Sequence, residues 1–306
     1  MVRSSPVLVR VPATTANLGP GYDCLALSLD IWNEIEFSIT GNALSIEIEG
    51  EGAEVLPRDA TNLIFRCMDT FARYVSIPLP QGLQIKCANK IPVSSGLGSS
   101  ASAAIAGLLG ARALLGASIS DHDILKLALN YEGHADNISA CLLGGLVLSV
   151  LSENVLLTKK IPVKPLYAVI ALPDIKISTH QARSILPRSI ALEDGIFNLA
   201  RVALLIATLQ EDNYSNLKTA MQDRLHQSHR YRLIPGAEQA ISGALESGAY
   251  GAALSGAGPC VIAFADENDK VVSQQFTQAF NKAGITSRIL NTFSTNLGAQ
   301  VLIHNK

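Results

Sequence analysis

Apolar and polar residues alternate with a period of two over several short runs of this chain. Ile31, Asn33, Ile35, Phe37 and Ile39 interleave with Trp32, Glu34, Glu36 and Ser38, as in a strand with one buried face. Leu44, Ile46 and Ile48 alternate with Ser45, Glu47 and Glu49 in the same way, and Gly41-Asn42 between the two runs predicts a hairpin. Near the start, Val7, Val9 and Val11 follow the same period. Leu63, Ile64, Cys67, Met68, Phe71 and Val75 instead share one helical stripe behind Asp59 and Thr61, both able to cap it. Leu83, Ile85 and Cys87 mark a further strand. An Ala-rich helix is predicted over residues 101–115, and another begins near Ser120, a capping residue.

The second half is patterned alike. A strand near 145–151 is followed by Pro162-Val-Lys-Pro165, which reads as a linker. Beyond it come a strand at 167–172, a helix with a long apolar face at 196–209 and a helix at 237–246. Two β-rich runs at 252–255 and 260–265 precede a helix near 274–283 and strands near 288–290 and 300–304. Strands and helices interleave, but the hairpin signal argues against an all-parallel sheet. The reading is two α+β lobes, residues 1–160 and 161–306, joined near 155–165.

Composition narrows the function classes. Of 306 residues, 48% are hydrophobic and 16% charged, enough for large cores and too apolar for disorder. The 24 basic and 26 acidic residues leave a net charge of −2, so nothing draws nucleic acid or an anionic membrane. Five cysteines without close spacing read as small buried apolar residues, not a disulfide framework. His226 and His229 lack a third metal ligand. The N-terminus has no apolar leader core, and the greasiest stretches, 101–120 and 138–151, are interrupted by Arg112 and by Gly144-Gly145. Cytoplasmic residence is the expectation.

The most informative segment is Lys90-Ile-Pro92-Val93-Ser94-Ser95-Gly96-Leu97-Gly98-Ser99-Ser100-Ala101-Ser102, which follows a strand and opens the Ala-rich helix. Its glycines permit left-handed backbone and close approach. The helix start adds unpaired N–H groups and the positive end of a dipole. Such a cradle suits a polyphosphate. Neither a Walker A loop nor a dinucleotide fingerprint is present.

The string Pro92-x-x-x-Gly96-Leu-Gly98-Ser99-Ser100-Ala101 resembles the phosphate loop of the GHMP kinases. Val9-Arg-Val-Pro12-Ala-Thr-Thr-Ala-Asn17-Leu-Gly19-Pro-Gly21-Tyr-Asp23 looks like that family's N-terminal substrate motif, in the form carried by members that phosphorylate homoserine. Leu254-Ser255-Gly256-Ala257-Gly258-Pro259 looks like its C-terminal glycine motif, and the likeness spans essentially the whole chain. It implies a two-lobed α+β GHMP kinase fold, with an N-terminal lobe like domain 2 of ribosomal protein S5 and a ferredoxin-like C-terminal lobe. It also implies ATP as phosphoryl donor with Mg²⁺ and L-homoserine as acceptor, giving O-phospho-L-homoserine for threonine synthesis. Shikimate or mevalonate as the alcohol, or a non-catalytic sensor on the same scaffold, are the alternatives. A homodimer is a further expectation.

By the same resemblance Asp23 pairs with the substrate ammonium and Asn17 adds hydrogen bonds, although either could form a local Asx-turn. Arg183 and Arg232 match the carboxylate-binding arginines, whose forks suit a bidentate anion, with Arg224 and Arg230 close enough in sequence to compete for the second place. Glu132-Gly-His134-Ala-Asp136-Asn137 matches the family's E-G-H-x-D-N string. Ser100 and Glu132 fit the magnesium ligands, and residues 92–102 the triphosphate. His134 is a pocket or structural residue. Asn137 faces the reacting hydroxyl, while Asp136 is a base or a local cap. Asn62 contacts adenine or caps its helix.

Overall fold

The computed structural model describes residues 5–153, 155–267 and 270–303. A first sheet runs in the order β11-β1-β2-β4-β3, from β1 (Val7–Asn17), β2 (Gly21–Ile39), β3 (Ser45–Gly50), β4 (Leu83–Asn89) and β11 (Gln300–Ile303). The hairpin of β5 (Leu146–Ser152) and β6 (Val155–Ile161) extends it, because the start of β2 pairs with β5. Packed against it are α1 (Leu63–Tyr74), α2 (Ser99–Leu115), α3 (Asp121–Glu132) and α4 (Asp136–Leu143). The predicted alternations supply its buried face: Val7, Val9, Val11, Ile35, Phe37, Ile46, Ile48 and Ile85 share one core with Met68, Phe71, Ile105 and Leu108. α2 is apolar all round because strands and helices enclose it, and its small residues allow close approach: a Cβ on Gly110 would lie 2.4 Å from the Phe37 ring.

A second, antiparallel sheet is ordered β10-β7-β9-β8, from β7 (Tyr167–Pro173), β8 (Gly251–Leu254), β9 (Val261–Phe264) and β10 (Ser287–Phe293). Both faces of β7, β8 and β9 are covered, so these strands are apolar throughout, whereas β10 at one edge carries exposed Arg288 and Asn291. Val169, Ala171, Val261 and Ala263 pack with α9 (Ala237–Glu246) and α10 (Lys270–Lys282). Ala168, Ile170, Ile262 and Phe264 face a core shared with the first half of β2, α6 (Leu192–Glu211) and α7 (Leu217–Ala220). That core joins the two sheets. The remaining helices, α5 (Thr179–Ser184) and α8 (Gln227–Arg230), lie at the cleft rim and wall.

Four expectations differ from the structure. Gly41-Asn42 does not close a hairpin: β4 lies between β2 and β3, Thr40 N–H donates to Gly82 O at 2.7 Å, and β3 runs parallel to β4. α1 supplies the crossover a parallel pair needs, burying its stripe against α2. The cap of α1 is Asn62, not Asp59 or Thr61, which bond each other ahead of the helix. Residues 155–161 form β6, leaving only 162–166 as the link, and β11 returns to β1 from the far end of the chain. His304, placed in that last strand from sequence, lies outside the described residues. Finally, α6 buries Leu205 and Leu209 but leaves Ile196 and Leu199 exposed, so its apolar face is covered only in its C-terminal half.

Candidate active site

The phosphate cradle forms where β4 hands over to α2. Ser94, Gly96 and Gly98 adopt left-handed φ of 54°, 88° and 71°, which turns the loop sharply enough for Gly98, Ser99 and Ser100 to line a cleft of about 660 Å³. Gly98 is the N-cap of α2 and brings no side-chain acceptor, so the first-turn N–H groups and the positive helix end are presented to that cleft. Ser95 braces the turn, donating to Pro92 O at 2.7 Å and accepting from Leu97 N–H at 3.2 Å. The Ser255–Pro259 loop clasps it from the other side: Ser255 Oγ donates to Gly96 O at 2.8 Å, and Cys260 N–H donates to Ser95 O at 3.0 Å.

Within 92–102, Val93, Ser94, Ser95, Gly96, Gly98, Ser99 and Ser100 line the cleft. Leu97 and Ala101 are core residues, and Ser102 turns its hydroxyl back to Ser99 O. Pro92 borders a separate cavity of the surface. The cleft continues past the cradle into an apolar slot formed by Ile48, Leu56, Pro57, Ile64, Cys87 and Val93. Asn62 borders this slot and holds the helix start with most of its amide: Oδ1 accepts from Ile64 N–H at 2.9 Å and Nδ2 donates one hydrogen to Pro57 O at 2.7 Å.

At the opposite end, the turn between β1 and β2 is held in left-handed backbone at Asn17, Leu18 and Asp23. Asn17 lines the cleft, but its side chain clasps the backbone, accepting from Asp23 N–H at 3.1 Å and donating to Gly256 O at 2.9 Å. The Asp23 carboxylate accepts from Arg183 Nη2 at 2.5 Å, and both side chains are about one-third exposed to the cleft. Ser178 starts α5 with a capping box on Gln181, which fixes the helix that carries Arg183. Arg183 Nε is buried without an acceptor, a donor available to an incoming anion.

Arg232 does not reach the cleft; it is exposed on the turn after α8. The residue there is Arg230, 1% exposed and lining the cleft. Its Nε donates to Ala182 O at 3.2 Å, and Nη1 lies 3.0 Å from Gly256 O and 3.1 Å from His226 Nδ1. His226 must therefore keep Nδ1 unprotonated, and its Nε2–H donates to Gly19 O at 2.8 Å. Burial pushes the His226 pKa down to about 4, with the nearby Asp223 carboxylate opposing. The Tyr22 ring centroid stands 5.4 Å from the Arg183 guanidinium and 5.3 Å from that of Arg230. His134 lines the same region and is held below its usual pKa by burial and by Arg183, which keeps it neutral.

Between the two ends lie the last candidates. Glu132 closes α3 beside Ser100, with which it hydrogen-bonds, and burial raises its pKa. Asp136 opens α4 almost fully buried; its Oδ1 accepts from Asn137 N–H at 2.7 Å and lies 3.3 Å from Asn137 Nδ2. Burial pushes the Asp136 pKa up to about 6, against the pull of the Asn137 N–H. Among the described residues, no three His, Cys, Asp or Glu side chains cluster to hold a metal, and no helix is long and apolar enough to cross a membrane. Ser100 and Glu132 do bring two hard oxygen donors together beside the cradle, a set that fits Mg²⁺. Sequence reasoning left Tyr22 and His226 without a role in the pocket and named Arg230 only as a competitor of Arg232. Arg230 was within reach through its spacing, but only burial separates it from Arg232.

A glycine-turned helix N-terminus clasped by a second glycine loop, facing a charge-paired pocket across one cleft, defines a small-molecule kinase of the GHMP class. Residues 62–145 match the family model for the GHMP kinase N-terminal domain, and residues 205–282 match that for the GHMP kinase C-terminal domain. The chain is 38% identical to the homoserine kinase of Carboxydothermus hydrogenoformans over 98% of each protein. It is 40% identical to that of Caldanaerobacter subterraneus subsp. tengcongensis over 97% of this chain and 95% of the relative. The crystal structure of homoserine kinase from Cytophaga hutchinsonii superposes with a TM-score of 0.86 at 31% identity, over 99% of both chains. The chain belongs to the homoserine kinase family of the GHMP kinases.

Proposed function

We propose that this chain transfers the γ-phosphoryl group of ATP to the hydroxyl of L-homoserine, releasing ADP and O-phospho-L-homoserine. The observation that carries the reading is the Asp23–Arg183 pair beside buried Arg230, across the cleft from the α2 N-terminus. An α-amino acid is itself a zwitterion. Its ammonium can take the place of Arg183 on Asp23, while its carboxylate meets the freed Arg183, including the unpartnered Nε, and Arg230. The side-chain hydroxyl then extends toward Asn137 and the cradle. Shikimate and mevalonate lack the ammonium and would leave Asp23 facing an anion, a like-charge conflict.

In this reading the apolar slot receives the adenine, the N–H groups of residues 98–101 hold the β- and γ-phosphates, and Asn137 orients the acceptor oxygen. Ser100 and Glu132 would hold Mg²⁺, which neutralises charge on the transferring group. A loose phosphoryl-transfer transition state asks mainly for alignment and charge stabilisation, which the dipole and fixed donors provide. The nucleotide belongs to residues 1–160 and the amino acid to the crevice shared with 161–306. Cytoplasmic residence accords with five free cysteines, and a homodimer completes the proposal. ADP release is the test, assayed with homoserine, shikimate, mevalonate and galactose, with and without Mg²⁺. Turnover confined to homoserine and Mg²⁺ supports the reading; equal turnover of an alcohol lacking the amine overturns it. Sedimentation of the purified chain tests the dimer.

A further inference from the structure

Thr14 lies in β1, fully buried, and does not itself line the cleft. Its hydroxyl donates to Asn137 Oδ1 at 2.6 Å, and its backbone N–H donates to Leu97 O in the phosphate loop at 3.1 Å. One residue thus ties the loop to the Asn137 amide in the first turn of α4. The pair also reaches the loop sterically. A Cβ on Gly98 would lie 2.0 Å from Thr14 Oγ1 and 3.3 Å from Asn137 Oδ1, so glycine at 98 leaves the room this pair fills.

The bonding sets which end of the Asn137 amide faces which neighbour. The Asp136 carboxylate, when ionised, only accepts, so the amide nitrogen belongs on its side, 3.3 Å away. The oxygen then takes the Thr14 proton. With Oδ1 engaged and one Nδ2 hydrogen directed to Asp136, the second Nδ2 hydrogen is left for the cleft that Asn137 lines. Asn137 meets an acceptor oxygen there as a donor.

We infer that Thr14 is a positioning residue for phosphoryl transfer: its hydroxyl locks the Asn137 amide so that an N–H, not the carbonyl, meets the alcohol oxygen. This rests on the reading above, in which Asn137 faces the reacting hydroxyl. Donation to the oxygen holds one lone pair and leaves another to bond the γ-phosphorus as its bond to the β-phosphate oxygen breaks. ADP leaves with that oxygen, and the hydroxyl proton passes late to an oxygen of the transferred phosphoryl group. A reversed amide would offer its carbonyl instead, which takes the alcohol proton and holds neither lone pair, so the oxygen is no longer fixed toward the phosphorus. Losing the Thr14 hydroxyl strands a buried carbonyl and frees the amide to turn.

Thr14→Val keeps the volume and removes the donor, Thr14→Ser keeps the donor, and both are made in the wild-type and Asn137→Ala backgrounds. Steady-state kinetics give kcat and the homoserine KM, and calorimetry gives the ADP Kd. The expected result is a kcat loss of about tenfold or more in Thr14→Val, the scale of one hydrogen bond, with ADP Kd within about threefold of wild type. Thr14→Ser should retain kcat within about threefold, and Thr14→Val should add nothing in the Asn137→Ala background, because the residue acts only through that amide. Wild-type kcat in Thr14→Val, an equal loss in Thr14→Ser, or an additive loss on top of Asn137→Ala overturns the inference while leaving the kinase reading intact. Asn137→Ala with unchanged kcat instead strikes the reading on which it rests. If the valine variant does not fold, Thr14→Ala compared with Thr14→Ser gives the same discrimination.

Discussion

Two residues apart, Arg230 and Arg232 separate a pocket arginine from a surface one. Arg230 is enclosed and holds three acceptors in place; Arg232 lies on an exposed turn. Lysine cannot reproduce the guanidinium fork. Arg230→Lys should therefore raise the homoserine KM at least about tenfold and leave the ATP KM within about threefold, while Arg232→Ala stays near wild type in both. Initial-rate kinetics against each substrate decide this, and the reverse pattern would reinstate Arg232. At the neighbouring pair, Asp136 is committed to Asn137 through the backbone N–H, the geometry of a brace. Asp136→Asn preserves an acceptor there and should cost less than about tenfold in kcat, whereas a general base typically contributes about 10²–10⁴-fold. A thousandfold loss in folded Asp136→Asn would make Asp136 the base.

At the scale of elements, the site depends on two glycine loops fitting into each other. Gly96 combines φ of +88° with a carbonyl ceiling: an added Cβ would sit 2.2 Å from Ser255 O and 2.9 Å from Gly258 O. Backbone cannot swing aside as a flexible side chain can, so Gly96→Ala should part the loops and cost about 2–4 kcal/mol, combining left-handed strain with a broken Ser255–Gly96 bond. Urea denaturation should show the loss and ADP affinity should fall with it; an unchanged midpoint would mean that the loops separate at little cost. The same interlocking shows what local sequence signals carried. The helix stripe behind residue 62, the cap at Ser120 and the alternation of β2 and β3 were all legible, because each is written within one or two turns of chain. Strand partners were not. β4 comes between β2 and β3 through contacts some forty residues apart, which a Gly-Asn turn signal cannot report.

Over the whole molecule, two buried groups oppose each other as pH falls. His226 titrates at about 4 when folded, below the ordinary value of about 6.5, so the unfolded chain takes up the proton first and stability is lost between those values. Asp136 titrates at about 6, above the ordinary carboxylate, so the folded chain takes up the proton first and stability is gained as pH falls from about 6 to about 4. Asp136→Asn removes the gain and leaves the loss. Relative to wild type, the variant should be most stable near pH 7.5 and lose about 2 kcal/mol of that standing by pH 4.5, within the ceiling of about 3 kcal/mol that a shift of about two units sets. Urea midpoints at both pH values test this, and a constant difference between the two proteins would contradict it. By contrast, the Arg288–Glu51 bridge beside the separate surface cavity is half exposed on the arginine side and should contribute less than about 1 kcal/mol.

The sequence by itself determined what depends on local chemistry. Gly96 and Gly98 before an Ala-rich helix define a phosphate cradle because left-handed backbone and a helix N-terminus are properties of neighbouring residues. The family follows from three such strings in order. Tertiary structure decided which polar groups remain free for a ligand. Asn17 and Asn62 carry the right chemistry in the right segments, but Oδ1 and one Nδ2 hydrogen of each are engaged, by Asp23 and Gly256 in one case and by Ile64 and Pro57 in the other, which leaves a single Nδ2 hydrogen of each for a ligand. Arg230 is turned inward by Ala182, His226 and Gly256, and Arg232 is left in solvent. Thr14 meets Asn137 across 123 residues of chain. A hydrogen bond satisfies a donor wherever in the chain its acceptor comes from, so only the folded arrangement distinguishes a side chain that is spent from one that is available.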